Sequence, residues 1–126
     1  MINNRGRRGF TLVEMSVVVA IIGVLYATVV PIYGKTILRA RETALKNSLH
    51  TFRTTLNNYY KDHEKWPENL DALVRDGYIR NIPPDPFTEK SDTWVVVPSE
   101  AGQNDVYDIK SGAEGQSLDG ISYADF

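Results

Sequence analysis

The sequence contains no cysteine. That absence excludes a disulfide framework and a thiolate metal site, so any folded part must be held by packing, by assembly or by a hard metal ion. Histidine is scarce as well, with only His50 and His63. Neither has a partner at metal-ligand spacing or in a triad arrangement, and no nucleotide-binding motif is present. Nothing in the chain resembles an enzyme's constellation, so a non-enzymatic role is expected. Acidic residues are missing from the first nine positions, where Arg5, Arg7 and Arg8 are the only charges. Charge then almost vanishes: Phe10 to Tyr33 carries a single ionisable acid, Glu14.

What is present divides along the chain. The length of 126 residues suits one small domain, and 42% hydrophobic with 24% charged residues is ordinary globular usage. The distribution carries the information. A basic leader is followed by a membrane-grade segment, and everything after Gly34 is polar and charge-rich. Three of the 14 Lys+Arg lie in residues 1–9, so loss of that leader leaves 11 bases against 16 acids and moves the net charge from −2 to −5. An acidic product argues against nucleic acid as a partner, because phosphate binding needs clustered Lys and Arg.

The run FTLVEMSVVVAIIGVLYATVVPIY spans residues 10–33, longer than the roughly 20 residues that cross a bilayer as a helix. Its length and lack of turn signals predict helix in spite of the Val and Ile content. Arginines on the N-terminal side alone put that end in the cytoplasm and send the remainder across the membrane. A conventional cleaved signal peptide would have a shorter apolar region ending at a small-x-small site. A plain anchor fits the length but not Glu14, since an ionisable group inside a membrane segment is costly and functional by default.

Gly9-Phe10-Thr11-Leu12-Val13-Glu14 supplies the explanation. This string resembles the processing signal of type IV pilins and type II secretion pseudopilins: a short basic leader ending in Gly, then Phe, then Glu at the fifth mature position. The resemblance implies cleavage between Gly9 and Phe10 by a prepilin peptidase and N-methylation of Phe10. It implies an α+β pilin fold, in which a long N-terminal helix, transmembrane in its N-terminal half, packs on a small antiparallel sheet. The expected organisation is a leader over 1–9, a transmembrane and assembly segment over 10–33, and a periplasmic domain over 34–126 that includes the rest of the helix.

Glu14 and Pro31 are the candidate assembly residues. A carboxylate among packed apolar helices needs a cation, and the new amine of Phe10, on the same or a neighbouring subunit, is the nearest one. Pro31 removes an intrahelical bond; it either kinks a continuing helix or marks the helix end at the membrane surface. We expect the helix to continue.

Beyond Gly34 the apolar positions Leu38, Leu45, Leu49, Phe52, Leu56 and Tyr59 form one helical face. Lys35, Arg39, Arg41, Lys46 and Arg53 lie on other faces and are expected to meet the acidic C-terminal part of the same or the next subunit. A helix from Thr11 to about Asp62 would be about 80 Å long. Pro67 to Val74 reads as a short helix stopped by Gly77. Residues 78–87 read as a proline-stiffened loop, and Thr93–Val97 and Asp105–Lys110 as strands. Trp66-Pro67 and Pro83-Pro84-Asp85-Pro86 sit where major pseudopilins carry similar steps.

Residues 111–126 are rich in Gly, Ser and acids. In major pseudopilins this place resembles a calcium loop, so Ca²⁺ is the one cofactor implied, with Asp119 and Asp125 as candidate ligands. Gly112-Ala113-Glu114-Gly115 departs from the usual pattern, having Glu where Asp is expected. The alternative is an acidic surface loop stapled by Leu118, Ile121, Tyr123 and Phe126.

The resemblance to a major pseudopilin implies self-assembly into a filament in the periplasm. Its partners would be minor pseudopilins, a prepilin peptidase and an inner-membrane assembly platform driven by a cytoplasmic ATPase. A surface type IV pilus is the alternative, and a membrane-anchored binding module that never polymerises is a third possibility.

Overall fold

The computed structural model describes Gly9 and residues 11–126. Helix α1 runs from Leu12 to His63 and passes through Pro31 without interruption. Helix α2 follows (Leu70–Arg75), then strands β1 (Val95–Val97) and β2 (Asp108–Lys110), and a 3₁₀ turn at Tyr123–Asp125. The strands pair antiparallel, with Val96 opposite Ile109. This is the expected α+β pilin architecture, with one long N-terminal helix and a small antiparallel sheet. The chain divides into two compact units, Met1–Ile37 and Leu38–Phe126.

In the first unit the described residues are helical from Leu12, and their apolar side chains are exposed, from Leu12 and Val13 to Ile32 and Tyr33. Soluble monomers rarely expose so large a contiguous apolar surface, which marks a membrane or assembly face. Mean hydropathy reaches 2.4 over 18 residues here, enough for a bilayer span.

The second unit has the core. Leu45, Leu49, Phe52, Leu56 and Tyr59 of α1 are buried against Leu73 of α2, Trp94, Val106, Ile109 and Tyr123. Each fully buried Leu contributes about 1.5–3 kcal/mol, so this stripe holds the sheet to the helix. Phe52 and Trp94 meet edge-on at 5.1 Å, and the Trp94 indole N–H donates to the Pro83 carbonyl at 2.8 Å. Leu38, the first apolar position of the predicted face, is only half-buried and outside this core.

Three local expectations are corrected. Helix α2 begins at Leu70, not at Pro67. The Pro67 carbonyl is taken by the Val106 N–H at 2.8 Å, and Asn69 supplies the cap by accepting from Ala72 N–H at 2.8 Å. Its end matches the expectation: Gly77 has φ of +80°, and Tyr78 N–H returns to the Leu73 carbonyl at 2.9 Å. Both strands are also shorter than predicted. Trp94 turns into the core, and Asp105 leaves the ladder to accept from the Ser99 N–H and hydroxyl. The C-terminal staple, finally, rests on Tyr123 and Phe126, because Leu118 and Ile121 are exposed.

Candidate functional site: the N-terminal processing and assembly segment

The site is linear, laid along the start of α1. Gly9 is exposed, and Phe10, the expected methylation position, lies outside the described residues. Thr11 precedes the helix, and its hydroxyl accepts the Glu14 N–H at 3.1 Å. Thr-x-x-Glu is a capping-box signature, spelled by adjacent residues but masked in sequence by the processing signal it overlaps. Thr11 thus fixes where the helix starts, and Glu14 sits in its first turn, where the helix dipole favours an anion.

The Glu14 side chain is exposed and forms no salt bridge among the described residues. Around it stand Leu12, Val13, Met15, Val17 and Val18, all exposed. One carboxylate in an apolar sleeve is therefore open to a cation from outside the helix. Seventeen positions on, Pro31 interrupts one backbone hydrogen bond of the same helix.

At the other end of the chain, the expected metal ligands Asp119 and Asp125 are both exposed. No group of three or more His, Cys, Asp or Glu side chains is gathered among the described residues. A calcium shell would have to draw most of its oxygens from backbone carbonyls. Several of those already accept bonds within the loop: Ser117 from Gly120 N–H, Ile121 from Ser117 N–H, and Gly115 from Tyr123 N–H. The loop is also tied to α1. Buried Glu42 accepts the Leu118 N–H at 3.0 Å, and Arg53 bonds the Asp108 carboxylate at 2.9 Å and the Phe126 carbonyl at 2.7 Å. Arg53 thus meets the C-terminal part of its own subunit, as its sequence position suggested. Glu42, which no pattern singled out, does so too.

Comparison with known proteins bears on both ends. The family model for the prokaryotic N-terminal methylation motif matches residues 4–29. The type II secretion system core protein G of Klebsiella michiganensis is 31% identical, over 88% of this chain and 87% of its own. The chain belongs to the type IV pilin-like family. Two further relatives match chiefly over shorter stretches. Competence protein ComGC of Halalkalibacterium halodurans is 37% identical over 58% of this chain and 72% of its own. The type IV major pilin protein PilE1 of Neisseria gonorrhoeae is 36% identical over 52% of this chain and 40% of its own. No solved structure matches.

Family membership joins the observations. The apolar helix fits a membrane-anchored protein, with one candidate span among the described residues, and the N-terminal segment carries the methylation motif. Its relatives include a type II secretion system core protein and a type IV major pilin, and the described start of α1 offers one charge on an apolar helix.

Proposed function

We propose that this chain is the major subunit of a type II secretion pseudopilus. A prepilin peptidase cuts between Gly9 and Phe10, and the new amine of Phe10 is methylated. The N-terminus lies in the cytoplasm and the 34–126 domain in the periplasm. Subunits then leave the bilayer and polymerise through their apolar helices, with minor pseudopilins and an inner-membrane platform as partners. The Glu14 carboxylate pairs with the Phe10 amine of a neighbouring subunit, which sets the axial register of each addition. Pro31 relieves the helix where it leaves the packed bundle.

The observation that supports this best is similarity to core protein G over most of both chains, beyond the N-terminal motif that all pilin-like proteins share. The exposed apolar sleeve, with one carboxylate that forms no salt bridge among the described residues, supports the polymerisation step. Intact-mass measurement of the cellular protein tests processing: the expected species starts at methylated Phe10. A chain that retains residues 1–9 would overturn the reading in favour of a plain anchor. Electron microscopy of cell surfaces separates the secretion pseudopilus from a surface fibre, which the PilE1 match keeps as the second reading.

For the C-terminal loop, the accompanying proposal is a Ca²⁺ ion held by Asp119, Asp125 and loop carbonyls. The glycine-turned geometry supports it, with Gly115 and Gly120 at φ of +104° and +82°. Bound calcium would add rigidity to the loop. A melting temperature that does not move with chelator would sink it.

A further inference from the structure

We propose that a groove on the globular unit receives the Leu38–Arg41 segment of α1 from a second copy of this chain. The groove, about 380 Å³ in volume, is lined by apolar Leu70, Ile82, Trp94 and Val96, here termed its floor, and by polar Asp71, Ser91 and Asp92, here termed its rim. Val96 is 41% exposed, so the floor is open to water. Asp71 and Asp92 are exposed and form no salt bridge among the described residues. The complementary ligand is an apolar side chain with a cation beside it.

The chain carries that ligand itself. Leu38 continues the buried stripe of α1 beyond the point where the core ends, and it stays half-exposed. Arg41, three positions on, is its neighbour on the helix surface. Arg41 is exposed and pairs with no carboxylate among the described residues. Glu42, next to it in sequence, is buried and occupied by the Leu118 N–H. Within one subunit Leu38 is only partly buried, and Arg41, Asp71 and Asp92 are exposed without a salt bridge among the described residues. Docking between copies covers groove and segment: Leu38 meets the floor, and Arg41 meets the two rim carboxylates. The contact is heterologous, so each copy can both offer the segment and receive one, as an open filament requires.

This inference rests on the filament reading and assigns part of its subunit interface. The chain lacks cysteine, so introduced thiols report only on the chosen pair. The test uses the full-length chain in cells carrying the assembly machinery. Arg41→Cys combined with Ser91→Cys, on the groove rim, is expected to give a ladder of disulfide-linked multimers, which neither single variant gives. Arg41→Asp alone and Asp92→Arg alone are each expected to lower filament yield about tenfold, and their combination to restore it. Restoration excludes simple misfolding of either variant. Wild-type yields in both reversals, with no ladder, would overturn the groove and leave the filament reading standing. Loss in Arg41→Asp with silent Asp71 and Asp92 reversals would assign the cation to anionic lipid headgroups and also overturn it. Absence of filaments from the unaltered chain would overturn the filament reading itself, and this interface with it.

Discussion

At Asp85 the chain buries a carboxyl group completely, with no salt bridge to it among the described residues. Its oxygens accept the Phe87 N–H at 2.8 Å and the Ser111 hydroxyl at 2.5 Å, and so tie the proline-rich loop to the segment after β2. Asp85→Ala leaves both donors buried and unpaired. The expected cost is about 2–3 kcal/mol, read as a lower denaturant midpoint with an unchanged slope. Asp105 shows the same chemistry at the surface. The Ser99 hydroxyl, and then its N–H, hold the Asp105 carboxyl below its ordinary range. A depressed folded-state value stabilises above the ordinary carboxylate range and loses that effect as pH falls through the depressed value. Ser99→Ala is therefore expected to flatten part of the acid-side decline in stability, and parallel pH profiles for the two proteins would contradict this. Tyr78 has the opposite sign. Its hydroxyl donates to Asp62, and with some desolvation this pushes its pKa up to about 12, so its contribution is complete below 10.0 and fades as pH rises through about 12. None of these three roles is written in local sequence. Asp85 needs Ser111, 26 positions away, and the pattern PPDP announces only a stiff loop.

Elements were legible in proportion to how local their causes are. Helix α1 follows from one long apolar run joined to one amphipathic stripe, and its bounds fall within a residue of expectation. The stop of α2 at Gly77 was equally readable, because a single left-handed glycine ends it. Its start was not, since the Pro67 carbonyl is claimed by Val106, far along the chain. The strands were trimmed for the same reason. Gly112 makes the point testable. A Cβ there would strike the carbonyl of Thr93 on the facing backbone, which has little freedom to move. Gly112→Ala is expected to cost about 1–3 kcal/mol, seen as a lower melting temperature, whereas alanine at Gly102, where nothing stands near the added atom, meets only its own backbone strain. The C-terminal loop hangs on Glu42 in a similar way. Glu42→Ala strands the Leu118 N–H, and limited proteolysis is expected to open residues 114–122 in the variant first. Equal protection in both proteins would show that the loop's internal bonds suffice. A glutamate on a long helix reads as solvated, and its burial appears only once the loop is folded over it.

For the whole molecule, the N-terminal segment was the most readable part because its pattern is contiguous: basic residues, Gly9, Glu14 and the apolar run follow one another within the first 33 positions, where the methylation motif matches. The folded unit depends on contacts between distant residues and was only outlined. One ambiguity at the N-terminus belongs to this scale, since it concerns what lets subunits join. Glu14 stands at the third helical position of a Thr-x-x-Glu motif, its N–H capped by the Thr11 hydroxyl, and is also the single charge in the apolar sleeve. The two roles separate by substitution. Glu14→Gln keeps a residue that suits the third helical position but abolishes the charge, while Thr11→Val removes the capping hydroxyl and keeps the charge. If the carboxylate acts by pairing with a neighbour's N-terminal amine, Glu14→Gln is cleaved normally yet loses about tenfold or more in filament yield, because a charge-assisted bond becomes a neutral one. Thr11→Val then assembles, with a frayed first turn. The measurement is intact mass for cleavage alongside the sheared-filament fraction. Normal filaments from Glu14→Gln, with failure of Thr11→Val, would move the function of this motif from charge pairing to helix initiation.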